Sequence, residues 1–259
     1  MSGSRFLPAL LLAAALLLSG APWCGSAAAE RHASEQLYIN TGVGAPYVQE
    51  DRQGFLDLLV AEMFGRLGRR AQIQFYPSAE RALMNANNGL DDGDALRVAG
   101  LSAIYPNLVR VPETIIDNNF VAYSLRHAVA TPGFDALQPY LIGYIVGWKI
   151  FEAKLGEGFQ TTRVQNAEQL FTLLANDRAD MVLFEEWQGR WMADRMGLTV
   201  KVLAPPLVST EMFLYLNRKH EALAEPAAEA LRAMKADGSY RRIAERTLMR
   251  LLAPEAARP

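Results

Sequence analysis

The stretch RVQNAEQLFTLLANDRADMVLFEEWQGRW, residues 163–191, carries the clearest local signals in the chain. Asn166 is a helix-capping residue type, and Gln169, three positions on, is placed to reach back to the same turn. Leu170, Phe171, Leu173 and Leu174 recur at helical spacing, which predicts an amphipathic helix. After Asp177 and Arg178 a short apolar run, residues 181–184, predicts a buried strand that breaks off at Glu185, Glu186 and Trp187. In open α/β sheets ligands sit beyond the carboxyl ends of strands, so Glu185 is a candidate ligand contact. The alternative is that Glu185 and Glu186 only open the next helix, whose dipole favours acids there.

The same alternation extends outward. Residues 37–40 predict a first strand, followed by a Gly-rich loop ending at Pro46. Phe55, Leu58, Leu59, Met63 and Leu67 mark one face of a helix. Residues 72–76 predict a second strand, in which Ile73 and Phe75 alternate with glutamines. Pro77 and Ser78 open a helix that ends at Gly89. A third strand is predicted at 98–101, a crossing strand at 119–124, and further strands at 141–146 and 200–203. Pro205 and Pro206 punctuate the chain after the last of these. This order predicts an α/β fold with a mostly parallel sheet and helices on both faces.

Two segments carry a family resemblance. In residues 163–191, a helix, an Arg-x-Asp ending at Asp180, an apolar strand and an acid at Glu185 resemble the second lobe of bacterial extracellular solute-binding proteins of the amino-acid-binding type (family 3, type II periplasmic binding fold). Residues 211–243, EMFLYLNRKHEALAEPAAEALRAMKADGSYRRI, are similar to the return strand, long helix and turn of that family. The turn is marked by Lys235, Asp237, Gly238 and Tyr240. The resemblance covers nearly all of the chain after about residue 36. It implies two α/β lobes, each a mostly parallel sheet flanked by helices, joined by a two-strand hinge. Lobe 1 would be discontinuous, residues 30–122 and 206–259, and lobe 2 would span 123–205. It further implies a small polar ligand, an amino acid, an amine or a relative, held between the lobes. The protein would be monomeric and would serve an ABC-type permease or a membrane sensor.

Candidate contacts follow from that expected geometry. Tyr47 lies in the loop after the first strand, in an Ala-Pro-Tyr setting that resembles the family's aromatic wall; a half-buried loop tyrosine is the alternative. Arg81 falls in the first turn after the second strand, either cleft-facing or solvated. Ser102 is a ligand donor or a simple turn serine. Gly147 permits close backbone approach. Trp148 stands where the family has a small polar residue, and is either a stacking wall or core packing. Residues 103–113, AIYPNLVRVPE, depart from the family. Its members place an arginine there to grip a carboxylate bidentately, and alignment on Pro106 puts Leu108 in that place. Arg110, two residues on, is a substitute or a surface residue.

The N-terminus and the composition narrow the classes. Residues 1–29 combine Arg5, an apolar run over 6–18 and small residues at Ala27 and Ala29, the pattern of a cleaved secretory signal peptide. Export to the periplasm is therefore expected. Cleavage there would remove Cys24, the single cysteine, and with it any disulfide or thiolate chemistry. It would leave 25 basic against 28 acidic residues, since only Arg5 is lost, and this balance argues against nucleic acid as a partner. His32, His127 and His220 are not spaced as a metal pair. No metal or cofactor is expected, and no nucleophile elbow or phosphate loop is present. The enzymatic alternative is a dehydratase or peptidoglycan-cleaving type, as in a few relatives of this fold, with Glu185 or Glu113 as acid or base. The expectation is a non-enzymatic receptor.

Overall fold

The structure is a computed structural model that describes residues 36–252; the expected signal segment, residues 1–29, lies outside them. The chain opens with β1 (Leu37–Thr41), α1 (Phe55–Gly65), β2 (Ala71–Phe75), α2 (Ala79–Asn87) and β3 (Gly93–Arg97). The long β4 (Leu108–Ser124) leads to β5 (Leu141–Ile145), the short α3 (Lys149–Glu152) and β6 (Gln160–Val164). Then come α4 (Ala167–Ala175), β7 (Met181–Glu185), α5 (Glu186–Arg195) and β8 (Lys201–Val202). β9 (Val208–Asn217) returns the chain to α6 (Ala224–Ala236) and α7 (Ser239–Thr247).

The strands run in the order β2-β1-β3-β9-β4-β7-β5-β6, with β8 beside β4. β1 is parallel to β2 and β3, and β5 is parallel to β6 and β7. β4 and β9 run antiparallel to each other and to the strands that flank them. The result is the expected α/β architecture: two mostly parallel half-sheets joined by β4 and β9. Phe120 is the switching residue, pairing with Val208 of β9 and with Glu185 of β7. Hydrogen bonding thus passes without a break from one lobe to the other.

Each lobe has its own apolar core. Leu37, Ile39, Phe55, Leu59, Phe64, Leu214 and Leu231 pack between the first half-sheet and α1, α6 and α7. In the second lobe Tyr123, Leu170, Phe171 and Val182 pack on one face, and Ile142, Phe151, Met181 and Leu183 on the other. Burying one such side chain contributes about 1.5–3 kcal/mol. All five residues of β7 are buried, as a strand covered on both faces requires. Among the described residues no helix is long and apolar enough to cross a membrane.

The local signals at 163–191 have physical counterparts. Asn166 Oδ1 accepts the Gln169 N–H at 2.9 Å, while the Gln169 side chain accepts from Gln165, one residue before the cap. Asp177 closes the glycine-free turn at φ 54°, a conformation that short polar side chains tolerate better than most. Asp180 accepts the Leu141 N–H at 2.9 Å and so ties the start of β7 to the start of β5.

The third strand is corrected by the structure. It occupies Gly93–Arg97, not 98–101, which instead enters a 3-10 turn at Leu101–Ala103 through Gly100 at φ 87°. Gly93 belongs in the strand because β9 runs close to it: a Cβ there would lie 2.4 Å from the Tyr215 carbonyl oxygen.

Candidate ligand site

Glu185 ends β7 and caps α5. Its Oε1 accepts the Trp187 N–H at 3.2 Å and its Oε2 accepts the Gln188 N–H at 2.9 Å. The helix-opening expectation for this residue holds, and capping leaves Oε1 with a further contact. Tyr47, from the loop after β1 in the other lobe, brings its hydroxyl to 2.9 Å from that oxygen. The same hydroxyl lies 3.0 Å from Asn118 Oδ1 on β4. The three residues thus join lobe 1, the crossing strand and lobe 2.

Tyr47 and Glu185 are essentially sealed from solvent, at 0% and 1% exposure. Burial is the main cause of a carboxyl pushed up to about 7; the N–H groups of Gln188 and Trp187 and the Tyr47 hydroxyl oppose it. Burial, and then the Glu185 charge, hold the Tyr47 phenol well above its ordinary range. A phenol carries one proton and has two acceptors here. When Glu185 is protonated, its O–H donates to the tyrosine oxygen and the tyrosine donates to Asn118. When Glu185 is ionised, the tyrosine donates to the carboxylate. Among the described residues no basic group pairs with Glu185.

The other five sequence candidates are dispersed. Trp148 stacks on Phe151, with ring centroids 5.8 Å apart, and leans on Phe184 and Phe120. It is half-buried and faces both apolar clusters of lobe 2. Gly147 sits at φ 87°, and its N–H donates to Glu152 Oε1 at 2.8 Å. Arg81 is exposed in the first turn of α2, 5.9 Å from the Tyr76 ring centroid. Ser102 donates its hydroxyl to the Leu108 carbonyl at 2.6 Å. Arg110 is exposed on β4, its guanidinium 4.7 Å over the Phe213 ring. Of the seven, the structure brings Tyr47 and Glu185 into direct contact.

Two charged residues were missed by the sequence reading. Asp94 is fully buried in β3, and Arg97 grips it with Nε to Oδ1 and Nη2 to Oδ2, both at 2.8 Å. On a regular strand residues three apart face opposite sides. Here Leu96 takes φ 59° and the pairing with β9 slips between Asp94 and Arg97, which swings Arg97 onto the face of Asp94. Bulges of this kind re-aim side chains. Burial, only partly offset by Arg97, pushes the Asp94 carboxyl up to about 6. Among the described residues no group of His, Cys, Asp and Glu could hold a metal ion.

No family model matches the chain. An uncharacterized protein of Shewanella oneidensis is 24% identical over 196 residues, which are 72% of this chain and 73% of that protein. Among solved structures, the probable amino-acid ABC transporter extracellular-binding protein YtmK from Bacillus subtilis superposes with a TM-score of 0.69 at 15% identity. The match covers 83% of this chain and 98% of that one. A histidine kinase sensor domain with similarity to periplasmic binding proteins superposes with a TM-score of 0.66 at 13% identity, covering 83% and 96%. Together with the order of its strands and the two crossings, these likenesses give the chain the two-lobed fold of the type II periplasmic binding proteins.

Proposed function

We propose that the protein is a non-catalytic solute receptor, exported to the periplasm, that captures a small polar molecule between its lobes. An amino acid, an amine or a relative is the expected ligand class, and delivery to a membrane permease the expected use. The observation that carries this reading is the contact between Tyr47 and Glu185. A phenol from lobe 1 and an acid from lobe 2 meet at the carboxyl ends of strands, where folds of this kind take ligands. A buried acid with no basic partner among the described residues gains from a cation, so the ammonium group of a solute is a fitting occupant beside Glu185. Entry requires the contact to open, and two crossing strands allow the lobes to move as rigid bodies, with ligand favouring the closed population.

A sensing role is the second reading, favoured by the likeness to a histidine kinase sensor domain. It uses the same cleft and differs only in the membrane partner.

A thermal-shift screen of the purified protein against amino acids, polyamines, sugars and organic acids tests the common part. Ligand at about 100 times its dissociation constant adds roughly 2.7 kcal/mol, a rise of about 5–10 °C for a domain of this size. A rise confined to amine-bearing compounds, and reduced in Glu185→Gln, is the expected result. A flat response across the panel sinks the receptor reading.

A further inference from the structure

Two kinds of bond hold the Glu185 carboxyl. Its capping bonds, from the N–H groups of Trp187 and Gln188, lie within lobe 2 and are indifferent to any movement of the lobes. Its bond to the Tyr47 hydroxyl crosses from lobe 1, and that hydroxyl also meets Asn118 on the crossing strand. Separation of the lobes therefore breaks only the Tyr47 contact and wets an acid that is now sealed.

The surroundings offer this acid no charge of opposite sign. From β4, the Tyr123 hydroxyl reaches the Glu185 and Glu186 carbonyls. In α5, Arg190 is committed to Glu186 at 2.9 Å, and Glu186 also accepts from Asn119 Nδ2 at 3.0 Å. From α7, Tyr240 sets its ring edge-on to Phe55, which meets the Tyr47 ring in the same way, and its hydroxyl donates to the Ile115 carbonyl. A carboxyl enclosed like this is easily kept neutral, whereas ionising it without hydration is costly. Closing the lobes over Glu185 therefore favours its protonated form, and opening them favours the carboxylate.

We propose that Tyr47 and Glu185 form a proton-operated latch between the lobes: the protonated pair holds the lobes shut over the acid, and loss of the proton favours their opening. As a control on solute entry the latch rests on the receptor reading above, because a solute reaches Glu185 only through the open form. The lobe movement itself needs no solute. Sealing raises the carboxyl from an ordinary 4.5 to about 7, so the ratio of closed to open molecules falls by up to about 10-fold per pH unit across that interval. Apparent affinity for a solute rises with the open fraction.

The test is small-angle X-ray scattering of the purified protein, without added solute, at a series of pH values from about 4 to 8. Wild type is expected to be compact at the acid end and to gain in radius of gyration as pH rises. Glu185→Gln is neutral at every pH and should stay compact throughout. Tyr47→Phe loses the hydroxyl but keeps its ring beside Phe55, and should be more open than wild type at the acid end. Circular dichroism at each pH checks folding; should Tyr47→Phe fail to fold, the contrast between wild type and Glu185→Gln decides alone. A wild-type radius that does not change with pH, or one that changes equally in Glu185→Gln, overturns the latch and leaves the receptor reading standing. A radius that follows the expected pattern in a protein that binds nothing in the thermal-shift screen supports the latch and counts against the receptor.

Discussion

The Tyr47 hydroxyl and the Glu185 carboxyl lie 2.9 Å apart although 138 positions separate them in the chain. One belongs to the loop after β1 and the other to the last residue of β7, so this hydrogen bond exists only when the two lobes are together. The lobe contact is therefore partly polar and sensitive to protonation.

Its pH dependence has a defined sign. The Glu185 carboxyl rises from an ordinary 4.5 to about 7 on folding. The protonated form is the one the fold favours, so the group's contribution is complete below about pH 4.5 and is lost as pH rises through 7. The size is on the order of 3 kcal/mol. Urea denaturation of wild type and Glu185→Gln between pH 4 and 8 reads this directly. The difference in stability should move in favour of the variant as pH rises, and parallel curves would refute the assignment.

Tyr47→Phe keeps the edge contact with Phe55, whose ring centroid is 6.1 Å away, and removes only the hydroxyl. Glu185 and Asn118 then each lose a buried partner, at a cost of about 1–3 kcal/mol. Chemical denaturation near pH 7 is the measurement, and a change under about 0.5 kcal/mol would mean that the lobe contact carries little of the stability.

Trp148→Ala should reduce stability as well as any binding. The ring stacks on Phe151 and touches Phe120 and Phe184, so its loss opens a gap beside an aromatic cluster. For a half-buried indole the expected loss is about 2–3 kcal/mol. Calorimetry of the unliganded variant checks it; an unchanged melting temperature would favour a role at the cleft surface alone.

Gly189→Ala tests how α5 sits on lobe 2. A Cβ at Gly189 would fall 2.4 Å from the Tyr123 ring, and that ring is fully buried with its hydroxyl on the Glu186 carbonyl. Overpacking of this kind costs about 1–3 kcal/mol. A fully stable Gly189→Ala protein would show that α5 shifts freely, along with the Glu185 cap at its head.

Much of the fold was legible from local chemistry. The cap at Asn166, the apolar spacing of α4 and the abrupt end of β7 depend on neighbours a few residues apart, and they hold in the structure. The third strand was misplaced because its carboxylate looked like a loop residue, although Asp94 is buried and paired with Arg97. The edge strand β6, QTTRV, gave no signal because it is mostly exposed and lacks a clear apolar alternation.

The candidate site was legible only in part. Tyr47 and Glu185 were nominated from their places after strands. That they touch each other, through a shared hydroxyl with Asn118, follows from the crossing of β4 and the approach of two lobes. Arg97 was invisible, because a residue three positions from Asp94 on a regular strand would face away from it; the left-handed Leu96 reverses that.

Most of the helices and strands, β3 and β6 apart, with the cap at Asn166 and the buried faces of α4 and β7, were determined by the sequence alone, because each depends on contacts between near neighbours with fixed periodicity. Which polar groups meet was decided by the tertiary structure. Strand register, a backbone bulge and the closure of two lobes bring distant residues within hydrogen-bonding distance, and no local pattern encodes those three together.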